Sequence, residues 1–119
     1  MMVFSMEVVL ETAQRFLEEK KVEDITRIDL RSRGTITDYF LIGTVQSSRQ
    51  MMATAFALHE YFKKEAIPAL IEGNGSSDWV LVDLGAVIVH LMKPEARQFY
   101  QIEAIWDRSQ TLKSTSIDG

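Results

Sequence analysis

The sequence predicts an α/β fold, with a single domain in which helices pack over a mixed sheet of about five strands. Three observations predict it. Segments with apolar residues at helical spacing occur near residues 5–20, 47–64 and 94–106. Short β-rich segments lie between these helical segments. The length of 119 residues matches one domain, and a hydrophobic content of 46% is enough for a core.

Composition and charge exclude several classes of function. The chain has 17 acidic and 13 basic residues, and the net charge of −4 argues against unaided binding to nucleic acid or to an anionic membrane. It has no cysteine, which excludes disulfides, thiolate metal sites and a cysteine nucleophile. We expect no secretory signal, because the first residues lack a basic region followed by an apolar block, and no apolar run reaches the roughly 18 residues of a membrane span. We therefore expect a cytoplasmic protein.

The first third of the chain predicts one helix and one strand. An amphipathic helix is expected from about Ser5 to Lys20, because its apolar residues recur at spacings of three and four and Ser5 can cap its start. A half-buried strand is expected at residues 27–31, where polar and apolar residues alternate. Residues 33–35 form a turn.

The middle third predicts a strand, a helix and a second strand. Residues 38–45 are a nearly continuous apolar run, which is typical of a central strand. A helix begins at Ser47 with capping-box spacing and ends near Lys64, before a proline. Residues 69–72 form a short strand. The order strand, helix, strand predicts that the two strands are a parallel pair with a right-handed crossover.

The last third predicts a hairpin, a helix and a tail. Two β-rich runs, 79–84 and 86–92, are separated by Gly85. A helix is expected from Pro94 to about residue 106. Its inward residues should be Phe99, Ile102, Ile105 and Trp106. The domain is predicted to span residues 1–107, and residues 108–119 form a polar, flexible tail.

Catalytic and metal-binding patterns are poorly supported. His59 and His90 fall in different elements without carboxylates at ligand spacing, so a structural histidine is the better interpretation of each. The free N–H groups near Ser47 could hold an anion, but no glycine-rich loop precedes them and no lysine follows. The chain has no Asp-x-Asp or Asp-x-Glu pair, which argues against metal-dependent phosphoryl transfer. We expect no metal and no cofactor.

Residues 66–92 hold the feature most suggestive of a binding surface. This segment contains Glu72, Asp78 and Asp83 but no lysine or arginine, and Trp79 follows its flexible loop. Burial of Trp79 in the core is an open alternative, because tryptophan is usually largely buried. Tryptophan is also enriched among the residues that dominate protein interfaces. An acidic surface with an indole would suit a basic protein better than a nucleic acid.

An ordered set of motifs resembles the ribosomal silencing factor family, also called the Iojap-like family. The matching pieces are residues 37–42 (TDYFLI), 47–50 (SSRQ), 72–73 (EG), 79–85 (WVLVDLG), 87–90 (VIVH), Arg97 and 100–106 (YQIEAIW). They cover roughly residues 6–107, and their order is more specific than any single piece. Two departures are Ala86, where many members have aspartate, and residues 45–46, where they commonly have Gly-Thr. The first weakens the case for an essential acidic pair at that turn.

The resemblance implies a fold like that of nucleotidyltransferases but without their catalytic acids. It implies a non-enzymatic protein that binds the large ribosomal subunit through its fourteenth ribosomal protein. The bound factor would sterically block association with the small subunit and repress translation under nutrient limitation. Two alternatives are a metal-dependent nucleotidyltransferase-like enzyme and a homodimeric scaffold whose sheet face pairs with itself.

Five residues are predicted at or near the contact with the partner. Trp79 would be the apolar anchor and Leu84 its neighbour at the hairpin tip. Asp83 and Glu72 would be the charge partners of basic residues, which helps the rate and choice of docking. Asp38 is the remaining member of the set.

Overall fold

The structure is a computed structural model that describes residues 5–105. Its helices are α1 (Met6–Glu19), α2 (Ser48–Lys64) and α3 (Pro94–Tyr100). Its strands are β1 (Glu23–Asp29), β2 (Tyr39–Thr44), β3 (Leu70–Glu72), β4 (Trp79–Asp83) and β5 (Val87–Met92). The predicted α/β domain with a five-stranded mixed sheet is confirmed. Its likeness to nucleotidyltransferases stays a prediction. In this part of the chain no helix has the length and apolar character to cross a membrane.

The order of the strands corrects one prediction. The sheet order is β1-β2-β5-β4-β3, in which β2 and β5 are parallel and the other neighbours are antiparallel. The strands before and after α2, β2 and β3, run in the same direction but are separated by β5 and β4. The predicted parallel direction is confirmed, but the prediction that the two strands pair with each other is wrong. The β5 strand is buried along nearly its whole length and takes the central place, whereas β3 is short and half exposed, which suits an edge.

The boundaries of β1 and α3 differ from the prediction. The β1 strand begins four residues early, at Glu23, and its pairing with β2 is irregular up to Thr26. The expected helix to residue 106 is broken, because α3 ends at Tyr100 and Gln101 has a left-handed φ of 48°. A separate helical turn follows at residues 102–105.

The last predicted core residues differ in their burial. Ile102 is buried as expected, but Phe99 and Ile105 are 79% and 57% exposed. The expectation that those two side chains point inward is wrong. Phe99 lies on the exposed surface of α3 itself, and Ile105 follows the break at Gln101, where the helical period no longer continues. Trp106 and the predicted tail lie outside the described residues.

The sheet has one covered face and one open face. Side chains alternate between the faces along each strand. Val80 and Val82 pack in the main core with residues of α1 and α2. The other face, here called the open face, carries Trp79, Leu81 and Asp83 of β4, and Phe40 and Trp79 pack there against a smaller buried cluster. That cluster consists of Ile28, Leu30, Ile42, Met92, Ala96 and Ile102. The α3 helix thus covers only one end of the open face.

Candidate partner-binding surface

The structure separates the predicted contact residues into two groups. Trp79 begins β4, and Glu72 ends the antiparallel neighbour β3, so both lie at the end of the sheet near α3. They border one shallow depression together with Leu81. Asp83 lies four residues beyond Trp79, or about 13 Å along the strand at ~3.3 Å per residue. Asp38 lies at that second end, where its N–H donates to the Ala86 carbonyl at 2.9 Å.

Leu84 does not belong to the exposed surface. Its side chain is only 4% exposed and packs in the main core on the covered face. Its backbone N–H donates to the Val87 carbonyl at 2.9 Å and closes the hairpin. The structure therefore assigns Leu84 to the support of the turn and removes it from the predicted contact with a partner.

Asp83 is engaged in the same turn. Its Oδ1 accepts a hydrogen bond from the Gly85 N–H at 2.8 Å. Gly85 has a φ of 85°, a conformation that glycine adopts without the steric penalty of a side chain. The carboxylate of Asp83 thus stabilises the hairpin, whether or not it also meets a partner.

Trp79 is half buried. One part of its side chain packs in the fold and another part is exposed, so burial in the core and a role at an interface are compatible. Its indole Nε1–H donates to Nδ1 of His90 at 3.1 Å. The ring centroids of Trp79 and Tyr100 are 4.9 Å apart, and those of His90 and Phe40 are 4.4 Å apart. Phe99 extends this series, with its ring centroid 4.9 Å from that of Tyr100. The aromatic rings therefore run from the buried cluster to solvent.

A cleft of about 460 Å³ lies between Trp79 and α3. This aromatic cleft is lined by Ser77, Asp78, Trp79, Glu95, Ala96, Phe99 and Tyr100. Its lining contains two carboxylates and no lysine or arginine. Lys93 reaches Asp78 from outside the lining, with an Nζ–Oδ1 distance of 3.6 Å. The cleft can hold an apolar or aromatic group together with a positive charge.

Sequence reasoning missed the contribution of α3 to this cleft. It placed Phe99 in the core, whereas Phe99 and Tyr100, at the end of α3, are exposed, and Tyr100 packs beside Trp79. Arg97 holds α3 in place, since its guanidinium donates to Thr44 Oγ1, Thr26 Oγ1 and the Asp24 carbonyl, and to Glu103 at 2.8 Å. The one signal for Arg97 in the sequence was its place among the motifs of the resemblance.

The open face continues from the aromatic cleft toward the turn at Gly85. Leu81 lies between Trp79 and Asp83 on the same side of β4, and Leu70 of β3 is 58% exposed beside them. Ile88 of β5 and Phe40 of β2 are also only partly buried. The two groups of predicted residues are thus the ends of one apolar strip.

The other candidate sites have structural explanations. Ser47 accepts a hydrogen bond from the Gln50 N–H at 3.1 Å, and the Gln50 side chain accepts from the Gln46 N–H at 2.7 Å. The first bond confirms Ser47 as the predicted cap of α2. The second comes from the N–H of Gln46, one residue before the cap, whereas a capping box uses the N–H of the cap residue itself. His59 lies 3.6 Å from the carboxylate of the adjacent Glu60. Among residues 5–105, no three histidine or acidic side chains converge to hold a metal ion.

Burial determines the charge of His90. This side chain is 5% exposed, and its desolvation lowers the pKa from 6.5 to about 4. The imidazole is therefore neutral at pH 7. A neutral ring can accept the Trp79 N–H on one nitrogen and carry its proton on the other.

A comparison with protein families settles the resemblance. The family described as "Ribosomal silencing factor during starvation" matches residues 4–118. The chain belongs to the ribosomal silencing factor family. A ribosomal silencing factor of Zymomonas mobilis is 36% identical to it over 118 residues, covering 96% of this chain and 89% of that protein.

Two further similarities place this family member among known proteins. It is 35% identical over 102 residues to the mouse protein named "Mitochondrial assembly of ribosomal large subunit protein 1", covering 82% of this chain and 43% of the mouse protein. A crystal structure of a protein from Chromobacterium violaceum superposes with a TM-score of 0.80 at 34% identity, covering 87% of this chain and 88% of that one.

Proposed function

We propose that this protein binds the large ribosomal subunit through the fourteenth ribosomal protein and blocks the small subunit by its bulk. Repression of translation under nutrient limitation, in the cytoplasm, is the expected outcome. Membership of the ribosomal silencing factor family supports the role, and the name of the mouse relative supports an association with the large subunit. The finer assignments come from the resemblance of the sequence motifs.

The aromatic cleft is the observation that carries the proposal. It brings Trp79 and Tyr100 together at a partly exposed surface, beside the carboxylates of Asp78 and Glu95. Aromatic anchors surrounded by acidic groups favour a basic, partly apolar protein surface. They disfavour RNA, whose phosphates require lysine and arginine in place of their counterions.

The proposed contact follows the open face. Trp79 is the anchor, and Glu72 lies beside it as a charge partner of basic residues on the ribosomal protein. Leu81 extends the apolar contact toward Asp83 and Asp38, which form its far end. A standard interface covers about 800 Å² on each partner, so the contact requires most of this strip rather than the cleft alone.

Inhibition by bulk needs no bond to be made or broken. A rigid domain bound to the joining surface of one subunit excludes the other for as long as it stays there. The duration of the block is then set by how slowly the factor dissociates. Affinity differences between variants should therefore appear mainly in the dissociation rate.

A pelleting experiment with separated ribosomal subunits tests the proposal. We expect the full-length protein to sediment with large subunits and not with small subunits, and to prevent their joining in a light-scattering assay. Calorimetry with the isolated fourteenth ribosomal protein should show a complex with one molecule of each protein. Failure to bind free large subunits would disprove the proposal.

The same samples test the alternatives. Magnesium-dependent binding or turnover of a nucleotide would favour the enzyme. Sedimentation equilibrium would reveal an obligate dimer, and a dimer that buries Trp79 would compete with large subunits. A Phe56→Ala variant serves as the control, because Phe56 is 55% exposed on α2, away from the open face.

A further inference from the structure

His90 is a buried polar side chain that stability alone does not explain. It lies in β5 opposite Leu81 of β4 and is 5% exposed. Its Nε2 is buried and has no hydrogen-bond partner among residues 5–105. An unpartnered buried polar atom destabilises a fold, and an apolar side chain of the same size would avoid that penalty.

The other nitrogen of this imidazole has one specific contact. Nδ1 accepts the indole N–H of Trp79 at 3.1 Å, across the diagonal between neighbouring strands. This bond requires a lone pair on Nδ1, so the ring proton resides on Nε2. The buried position keeps the ring neutral, with a pKa lowered to about 4, so the acceptor persists at neutral pH.

The surrounding aromatic rings limit the movement of the His90 and Trp79 side chains. Phe40 packs edge-on against His90, with ring centroids 4.4 Å apart. Tyr100 packs against the indole of Trp79 from the side of α3, at 4.9 Å. The indole is thus restrained by a hydrogen bond at its nitrogen and by a ring contact, while part of its surface lines the aromatic cleft.

We infer that His90 is a positioning residue that fixes the orientation of the Trp79 indole for binding to the partner. The part of this inference that concerns the partner rests on the proposed function. An anchor that is already oriented loses less conformational freedom on binding, and that difference strengthens the complex. His90 itself is buried and does not touch the partner.

The hydrogen bond can be tested in the free protein by nuclear magnetic resonance. A Trp106→Phe background leaves Trp79 as the one tryptophan of the chain. In ¹⁵N-labelled protein we expect a scalar coupling between Trp79 Nε1 and His90 Nδ1, and a proton on His90 Nε2. Absence of the coupling, or a proton on Nδ1, would overturn the inference without any change at His90.

A matched pair of substitutions then separates the acceptor from the volume of the side chain. His90→Asn places an amide oxygen near the position of Nδ1, whereas His90→Leu fills the space without an acceptor. We expect solvent exchange of the Trp79 indole proton to rise at least tenfold in His90→Leu and less than threefold in His90→Asn. Equal exchange in the wild type and His90→Leu would contradict the assignment.

Binding to isolated large subunits tests the consequence for the partner. We expect His90→Leu to weaken binding about tenfold and His90→Asn less than threefold. Trp79→Phe lacks the indole N–H, so His90→Leu should add little to its effect. An equal loss from His90→Leu in the wild-type protein and in the Trp79→Phe variant would assign His90 a merely structural role. If wild-type protein does not bind large subunits, the proposed function fails, while the resonance measurements still decide the positioning of the indole.

Discussion

The covered and open faces of the sheet differ in function, although β4 contributes side chains to both. Val80 and Val82 are fully buried beneath the helices, whereas Trp79, Leu81 and Asp83 remain partly exposed on the other side. Burial of the first set stabilises the fold through the hydrophobic effect. The second set presents apolar and acidic groups that the chain itself covers only at the α3 end. Substitutions of buried residues should therefore change stability, whereas substitutions of exposed residues on the open face should change binding.

The largest expected effect belongs to the covered face. Phe62 of α2 is completely buried in the main core, and Phe62→Ala should lower the free energy of unfolding by about 3–5 kcal/mol through lost burial and a residual cavity. Urea denaturation measures it. Phe56→Ala on the same helix is the control and should change stability by less than about 0.5 kcal/mol, because Phe56 is exposed. Equal losses of stability in the two variants would contradict the burial of Phe62 and the exposure of Phe56.

Acid should destabilise the fold through the open face. The unfolded chain protonates His90 below about pH 6.5, but the folded chain does so only near pH 4. The free energy of unfolding therefore has its full value, as far as His90 is concerned, above pH 6.5. It falls by about 3 kcal/mol as the pH drops toward 4. Urea denaturation at a series of pH values measures it. His90→Asn should remove the part of the pH dependence that is due to the imidazole, while the carboxylates are the same in both proteins. Parallel curves of stability against pH for the wild type and His90→Asn would refute this prediction.

Trp79→Ala should separate binding from stability. We expect affinity for large subunits to fall by about 2 kcal/mol or more, because tryptophan anchors commonly dominate an interface. Titration of labelled subunits measures it, with circular dichroism to confirm folding. An unchanged affinity in a folded variant would remove Trp79 from the contact and leave the open face without its anchor.

The smallest effects concern the charges at the two ends of the open face. Glu95→Gln, in the aromatic cleft, should weaken binding by less than about 1 kcal/mol, and the loss should shrink at high salt. Asp83→Asn should change it less, since an amide oxygen can keep the bond to Gly85. Association rates measured at two ionic strengths test both. A larger effect at Asp83 would move the centre of the contact to the hairpin turn.

The candidate surface was predicted in part. Trp79 and Glu72 come together near the aromatic cleft, but Leu84 was misplaced. Its side chain continues the alternation of β4 and is buried with Val80 and Val82 on the covered face. The contribution of Phe99 was missed because it was grouped with Ile102 and Ile105 in one helical stripe, although α3 ends at Tyr100. The alternation of β4 in the sequence already predicts the burial of Leu84, whereas hydrophobic spacing does not report the left-handed backbone of Gln101.

The amino-acid sequence by itself determined which segments form helices and strands, the cap of α2 at Ser47 and the family, because periodicity and motifs depend on residues close together in the chain. Only the tertiary structure decided that β5 rather than β3 pairs with β2. Backbone hydrogen bonds form between any two strands, so the choice depends on which arrangement buries the most apolar surface. It likewise decided that His90 and Tyr100 meet Trp79, because those contacts join separate elements whose positions follow from the packing of the whole domain.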